Sequence, residues 1–432
     1  MEQFIIKGGK PISGEITLRG AKNAIGNLLV ATLLTDEECV LTNVPRNKET
    51  EIALEICRIV GSEVAYMQDT IRIQTSHIKN PTVKELSRKN RISILALAPL
   101  LVRTGEAHVP VVGGDRIGPR PVDFHIEALR KMGAEISFDD SLYSAKTAGL
   151  TGQEIYFPYP SVGATQTVLL AAVCAAGHTT IHNAAVEPEV KELIRLLQNM
   201  GAIIQWETDR RIRIEGVLHL KGVSHRLLPD RLEAASFAIM AIATNGEVFV
   251  REAVQDHLLA FLNALRRIGG DYRVEEGGIR FYRNGALNGV VIETDTHPGF
   301  MTDWQQPMAV LMTQAEGRSI IHETVYEDRF GYIEDLKRMG ANAQIAKDCL
   351  GALPCRFKGK GYNHSCIITG PTPLHGAHIA VPDIRAGMAH VIAALVAEGE
   401  SVLSGIEHLD RGYESLDERL RSLGADIQRV GV

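Results

Sequence analysis

Apolar and polar positions along the 432-residue chain fall into one arrangement that recurs six times. A stretch with helical spacing closes on an apolar residue, a glycine and a small or polar residue. A short strand-like run then follows. The six joints read IVGSEV, KMGAEI, NMGAII, RIGGDY, RMGANA and SLGADI. Their glycines are Gly61, Gly133, Gly201, Gly269, Gly340 and Gly424, spaced by 72, 68, 68, 71 and 84 residues. Leu193, Leu196, Leu197 and Met200 show the helical spacing that leads into one of them. Glycine is favoured there because a helix that ends in a left-handed residue tolerates no Cβ well. An earlier half also recurs, an apolar helix followed by a polar turn and a strand: LLTDEECVLTNV, LLVRTGEAHVPV, VCAAGHTTIHNA, AIATNGEVFVRE, MTQAEGRSIIHE and LVAEGESVLSGI. Each repeat therefore predicts a βαβαββ-like module. Helix–glycine–strand joints are common in α/β proteins, but six in register with both halves matching is a repeat architecture.

A module of about 70 residues buries too little surface to stand alone and must pack on its neighbours. Six modules cannot share one core at this length, so two groups of three are expected, with a ligand cleft between them. Composition agrees with a folded protein: 45% hydrophobic, 23% charged, 5% aromatic and 40 glycines. The formal net charge of −6 argues against a nucleic-acid binder working through bulk positive charge. The beginning of the chain carries no apolar run with a small-residue cleavage site. The longest apolar runs, Ile94–Val102 and Val168–Ala176, are far below the ~20 residues that span a bilayer. Six scattered cysteines fit a reducing compartment better than a disulfide framework. A cytoplasmic protein with no membrane partner is expected, and nothing indicates its oligomeric state.

Candidate chemistry gathers at the start of the first helix of each repeat. Lys22 and Asn23, Arg91, Ser161 to Gly163, Asp230 and Arg231, Asp303, and Asp383 and Arg385 stand there in turn. Asp230, Asp303, Asp383 and Ser161 can all be read as ordinary N-caps. The cations Lys22, Arg91, Arg231 and Arg385 sit at the positive end of a helix dipole, which disfavours them by ~0.3–1 kcal/mol each. Such placement predicts compensation by an anion, a phosphate or a carboxylate. A net acidic protein can hold one in a local basic pocket. Residues 111–126, VVGGDRIGPRPVDFHI, read as an irregular loop that carries Asp115, Arg116, Arg120, Asp123 and His125 and suits a substrate-contacting lid. Arg329 and Arg411 precede matching helices and suit guanidinium clamps on an anion.

Other signals fail. No P-loop, dinucleotide fingerprint, H-E-x-x-H or G-x-S-x-G is present. Cys349, Cys355, His364 and Cys366 lie close in sequence, but no C-x₂₋₄-C pair occurs among them, so neither a metal site nor any cofactor is expected.

Several segments, spread from end to end of the chain, carry a resemblance. They are GEITLRGAKNA, the loop GGDRIGPRPVDFH, SVGATQT, LPDR at 228–231, TDWQ at 302–305, ETVYEDRF at 323–330, PDIRAG at 382–387 and HLDRGYE at 408–414. On these the chain resembles the UDP-N-acetylglucosamine 1-carboxyvinyltransferase family of enolpyruvyl transferases. The resemblance implies an α/β (α+β) fold of two inside-out α/β barrel domains, each with three βαβαββ repeats. Domain one would span 22–228, and domain two 1–21 plus 229–432, with the active site in the interdomain cleft. It implies addition of the 3′-hydroxyl of UDP-N-acetylglucosamine to phosphoenolpyruvate and loss of phosphate, the first committed step of peptidoglycan synthesis. Asp303 would be the base at the 3′-hydroxyl. Lys22, Asn23, Arg120, Arg385 and Arg411 would hold phosphoenolpyruvate, with Lys22 and Arg385 also stabilising developing charge. Asn23, Arg91, Arg120, Pro121, Val122, Asp123, Phe124, His125, Ser161, Val162, Gly163, Asp303 and Val325 would hold the nucleotide sugar. Arg329 and Asp383 would complete the site. Many family members carry cysteine where this chain has Asp115, the position of a general acid toward C3. An aspartate in that role must have its pKa raised well above ~3.9. Fosfomycin alkylates the family's loop thiol, so insensitivity is expected here. Tyr159-Pro160 and Leu95 are smaller departures that touch nucleotide contacts. The rival readings are the sister enzyme that makes 5-enolpyruvylshikimate-3-phosphate and a non-catalytic repeat protein that binds ligand without turnover.

Overall fold

The computed structural model describes residues 2–84, 86–87, 90–111, 122–139 and 141–431. The loop residues Asp115, Arg116, Arg120 and Pro121 lie outside the described residues. The chain forms two compact units, and it passes from one to the other at 19–20 and at 228–229. Domain one is the stretch between those points; domain two is made of what lies on either side.

Each repeat supplies two helices. In domain one they are α1 (Lys22–Ala31) and α2 (Lys48–Val60), α3 (Ser93–Thr104) and α4 (Asp123–Lys131), α5 (Val162–Ala172) and α6 (Pro188–Asn199). In domain two they are α7 (Arg231–Ala243) and α8 (Leu259–Ile268), α9 (Gln305–Thr313) and α10 (Tyr332–Arg338), α11 (Ile384–Val396) and α12 (Leu416–Ser422). The first helix of each pair is apolar nearly all round; α7 and α9 bury every residue. Such a helix belongs in the middle of a core. In domain two α7, α9 and α11 pack on one another in all three pairings. In domain one α3 packs on both α1 and α5. The second helices are amphipathic, as in α6, where Leu193, Leu196 and Leu197 are buried while Lys191 and Arg195 are exposed. The six joint glycines all have positive φ, between 89° and 110°, the conformation the repeat pattern demanded.

Among the described residues the strands form six small sheets, and five of them share one four-stranded topology. Repeat three is representative. Glu154–Tyr156 runs parallel to His178–His182, which pairs antiparallel with Ile212–Glu215, and that strand pairs antiparallel with Ile203–Trp206. Ile155, Ile181 and Ile212 stand in register and are buried, facing the helices. Helices thus lie inside each domain and sheets outside. Repeat two departs from the expected module: its sheet has three strands, and the place of the first strand is taken by a single bridge between Thr82 and His108.

Two strands near the start of the chain complete sheets at its far end. Ser13–Thr17 runs parallel to Glu247–Arg251 and is the first strand of repeat four. Glu2–Lys7 lies between Glu400–Ser404 and Asp426–Gly431 and completes repeat six. Domain one closes in the same manner, with Ser224–Arg226 parallel to Cys39–Thr42.

Candidate active site

The helix starts of domain two resolve the question of caps. Asp230 accepts hydrogen bonds from the backbone N–H groups of Leu232 and Glu233, at 2.7 and 3.2 Å. Asp383 does the same for Arg385 and Ala386, at 2.8 and 3.1 Å. Both are N-caps in the ordinary sense. Asp303 is not. It lies within a short 3₁₀ turn, Thr302–Trp304, that precedes α9, and α9 has no side-chain cap. Its two carboxylate oxygens are taken by guanidinium groups instead: Oδ1 by Arg329 at 2.8 Å and Oδ2 by Arg385 at 3.1 Å.

This cluster is nearly dry. The Asp303 side chain is 8% exposed and that of Arg329 is 1% exposed. Arg329 also donates to Thr302 Oγ1 at 2.8 Å, and Thr302 Oγ1 donates to Glu323 Oε2 at 2.8 Å. The fully buried Glu323 further accepts from Gln305 at 3.0 Å and from the backbone N–H groups of Val325 and Tyr326 at 2.9 and 3.0 Å. Burial opposes the charge of Arg329, yet the Asp303 and Glu323 carboxylates overcome it and hold the guanidinium above its ordinary pKa. Burial pushes the Tyr332 hydroxyl well up, so it remains a donor, and it bonds Gln305 Oε1 at 2.9 Å. The arrangement fixes one carboxylate between two cations, with Thr302, Gln305 and Glu323 bonded behind them.

Arg385 is thus paired within the protein, with Asp303. Arg231 is compensated differently: buried, it lies over the Trp304 ring at 5.6 Å, with Nη1 3.5 Å from His297 Nδ1. Arg411 is buried in the turn between Ile406–His408 and α12. Val325 stands in the segment ordered by Glu323, and its carbonyl accepts from Arg356.

In domain one, Lys22 opens α1 and is buried, with Asn23 next to it. Val122, Asp123, Phe124 and His125 form the start of α4. His125 is 5% exposed, and its Nδ1 lies 2.8 Å from Thr167 Oγ1. Burial, and then the nearby Arg91 guanidinium, push the imidazole down to about 3, so it is neutral near pH 7. Ser161 caps α5, accepting from Ala164 N–H at 3.3 Å, and Val162 and Gly163 form the first turn. A Cβ on Gly163 would meet the His125 ring at 2.9–3.0 Å, so glycine there lets the imidazole approach the helix start closely. His125, Gly163 and Arg91 thus come together although they stand in two repeats. Leu95 is buried within α3. Thr167, Thr302, Gln305 and Glu323 do not emerge from sequence as site residues. TDWQ and ETVYEDRF carried three of them, but nothing in the spacing told their supporting role.

Residues 6–420 match the family described as EPSP synthase (3-phosphoshikimate 1-carboxyvinyltransferase). The chain is 45% identical to the UDP-N-acetylglucosamine 1-carboxyvinyltransferase of Protochlamydia amoebophila (strain UWE25), over 100% of this chain and 95% of that one. It is 48% identical to the protein of the same name from Chlamydia pneumoniae, over 96% and 93%. Among solved structures, the enolpyruvyl transferase NikO from Streptomyces tendae shares the fold with a TM-score of 0.87 at 23% identity, over 100% of this chain and 99% of that one. An EPSP synthase from Acinetobacter baumannii gives 0.72 at 19%, over the whole of both chains. The fold is that of the enolpyruvyl transferases. By identity over its full length, the chain belongs to the UDP-N-acetylglucosamine 1-carboxyvinyltransferase family. No described helix is long and apolar enough to cross a membrane.

Proposed function

We propose that this protein transfers the enolpyruvyl group of phosphoenolpyruvate to the 3′-hydroxyl of UDP-N-acetylglucosamine and releases phosphate, acting in the cytoplasm at the first committed step of peptidoglycan synthesis. The observation that carries the reading is the Asp303 carboxylate fixed between Arg329 and Arg385 in a chain of this family. A buried carboxylate beside guanidinium groups can take a hydroxyl proton while the same guanidinium groups attract phosphate and carboxylate.

The steps follow. Asp303 takes the proton of the 3′-hydroxyl as its oxygen bonds C2 of phosphoenolpyruvate, and C3 receives a proton from Asp115. The tetrahedral adduct then returns a proton from C3 to the Asp115 carboxylate, and phosphate leaves C2 with the proton that Asp303 had taken, which leaves the enolpyruvyl ether. Lys22, Arg120, Arg385 and Arg411 hold the phosphate and carboxylate and stabilise the charge that develops. Asn23, Arg91, residues 120–125, Ser161 to Gly163 and Val325 hold the nucleotide sugar. A neutral His125 packed on Gly163 offers a donor or acceptor without a competing charge. Arg329 and Asp383 position Asp303 and Arg385.

Phosphate release from phosphoenolpyruvate, measured with UDP-N-acetylglucosamine and separately with shikimate 3-phosphate, tests the reading. Release with the nucleotide sugar alone is expected. Release with shikimate 3-phosphate would make it the sister enzyme, and release with neither would leave a binding protein.

A further inference from the structure

The four sulfur and imidazole residues around residue 350 have no part in this chemistry. Cys349, Cys355 and His364 belong to the long connection between strands Asn342–Ala346 and Ser365–Gly370. His322 ends the neighbouring strand Gly317–His322. Each offers one ligand atom, and all four atoms lie within 4.8 Å of one another. Cys349 Sγ is 3.2 Å from His364 Nε2.

Both imidazoles are oriented as metal-bound imidazoles are. A bound histidine gives one nitrogen to the metal and donates the other N–H to a carboxylate or a carbonyl. His364 Nδ1 lies 2.8 Å from the carbonyl oxygen of Tyr362, which can only accept, so the proton is on Nδ1 and the lone pair on Nε2. His322 Nδ1 lies 3.1 Å from Glu293 Oε2. Its Nε2 is buried with no hydrogen-bond partner, in a side chain that is 0% exposed. Such an atom costs stability unless something takes its lone pair. The loop is built closely round this histidine: Glu293 also accepts from Ala352 and Leu353 N–H at 2.9 and 2.8 Å, and a Cβ on Gly351 would lie 2.1 Å from Glu293 Oε2 and 2.4 Å from His322 Nδ1.

We infer that His322, Cys349, Cys355 and His364 form a structural zinc site that pins the 347–364 loop of domain two to its sheet. Two thiolates and two imidazoles in a compact group suit Zn²⁺ best among the common divalent ions. With bonds of about 2.0–2.3 Å, a tetrahedral centre spaces its ligand atoms roughly 3.3–3.8 Å apart. The cluster, with its ligand atoms within 4.8 Å of one another, needs a contraction of about 1.5 Å at most to reach that. Four protein ligands leave no open position, so the ion braces the loop and takes no substrate. A test on C-x₂₋₄-C spacing misses the site because the cysteines are six residues apart and the fourth ligand comes from another strand. Cys366, the remaining member of the sequence cluster, is buried in the core, where burial pushes its thiol up to about 12.

The test uses the full chain without a histidine tag, purified under reductant from zinc-supplemented cells. About one zinc per chain is expected. After chelation, Co²⁺ titration of the wild type should give thiolate charge-transfer absorption and the intense visible bands of a tetrahedral ion. This readout depends on no variant folding. Cys349→Ser and His364→Gln should each lose at least tenfold in metal affinity, while Cys174→Ser, a half-buried thiol in domain one, should keep it. Absence of zinc together with absence of cobalt bands would overturn the site. So would a Cys349–Cys355 disulfide that persists under reductant, or metal retained undiminished by both ligand variants.

Discussion

Asp230 and Asp303 stand at the same place in neighbouring repeats, before the first helix, and do opposite things. Asp230 turns onto its own helix and satisfies two backbone N–H groups. Asp303 is displaced into a 3₁₀ turn, leaves α9 without a side-chain cap, and is held by Arg329 and Arg385 from elsewhere in the domain. Symmetry of sequence brings the same residue type to equivalent positions. Whether it caps or reacts depends on which donors reach it first, local N–H groups or distant guanidiniums. The missing cap costs about 1 kcal/mol of helix stability, offset by a buried network in which Asp303 is paired with two guanidinium groups.

The comparison can be broken most directly at Asp303. Asp303→Asn is expected to lower kcat for phosphate release by about 10²–10⁴, the usual worth of a positioned base. Retention of more than a tenth of the activity would put Asp303 in the same structural class as Asp230. A third aspartate sharpens the contrast. Asp115→Asn should abolish most turnover across the pH range, because the amide cannot donate to C3. Conversely, wild type should resist fosfomycin, and Asp115→Cys should show time-dependent inactivation with adduct at residue 115. Inactivation of the wild type with adduct at that residue would end this reading.

A smaller effect separates holding by charge from holding by burial. His125 has a native pKa of about 3 against 6.5 unfolded. The unfolded chain binds the extra proton between those values, so this contribution to stability is complete above about pH 6.5 and is lost as pH falls toward 3. The loss is on the order of a few kcal/mol at the acid end. Denaturant unfolding at pH 4.5 and 7 should show it, and His125→Gln should flatten the difference. Gly163→Ala should cost about 1–3 kcal/mol through the His125 contact, and raise KM for the nucleotide sugar more than it lowers kcat. Least of all, Asp230→Ala should cost about 1 kcal/mol in unfolding free energy, with activity within twofold. A larger loss of activity there would blur the distinction between the two aspartates.

The repeat was legible because its signals are local. A helix followed by a left-handed glycine and a strand is written in six to twelve consecutive residues, and Gly61 through Gly424 all take that conformation. Asp303, Arg329 and Arg385 were legible as members of shared motifs, but their mutual geometry was not. The pairing of residues 26 and 82 positions apart depends on how repeats five and six pack. Glu323 was invisible for a further reason: its partners are backbone N–H groups and neutral side chains, which carry no sequence signature. The helix-dipole argument pointed to an anion at Arg385 but not to Asp303, since a carboxylate in another repeat cannot be placed by that logic alone. The first strand of repeat two is reduced to one bridge at Thr82, and its segment, NPTVKEL, has no alternation to announce a strand.

The strand Glu2–Lys7 has a consequence for how the chain is made. It is made before both of its neighbours in the sheet, which follow about 400 and 420 residues later, tens of seconds at roughly 5–20 residues per second. Domain one is continuous and can fold during that interval. Domain two cannot close, and Phe4 and Ile6, fully buried in the finished protein, wait in the open for its last strand. Nascent chains stalled before residue 400 should therefore protect domain one from protease while segment 2–7 is still cut, which makes that strand the natural place for a chaperone to hold the chain.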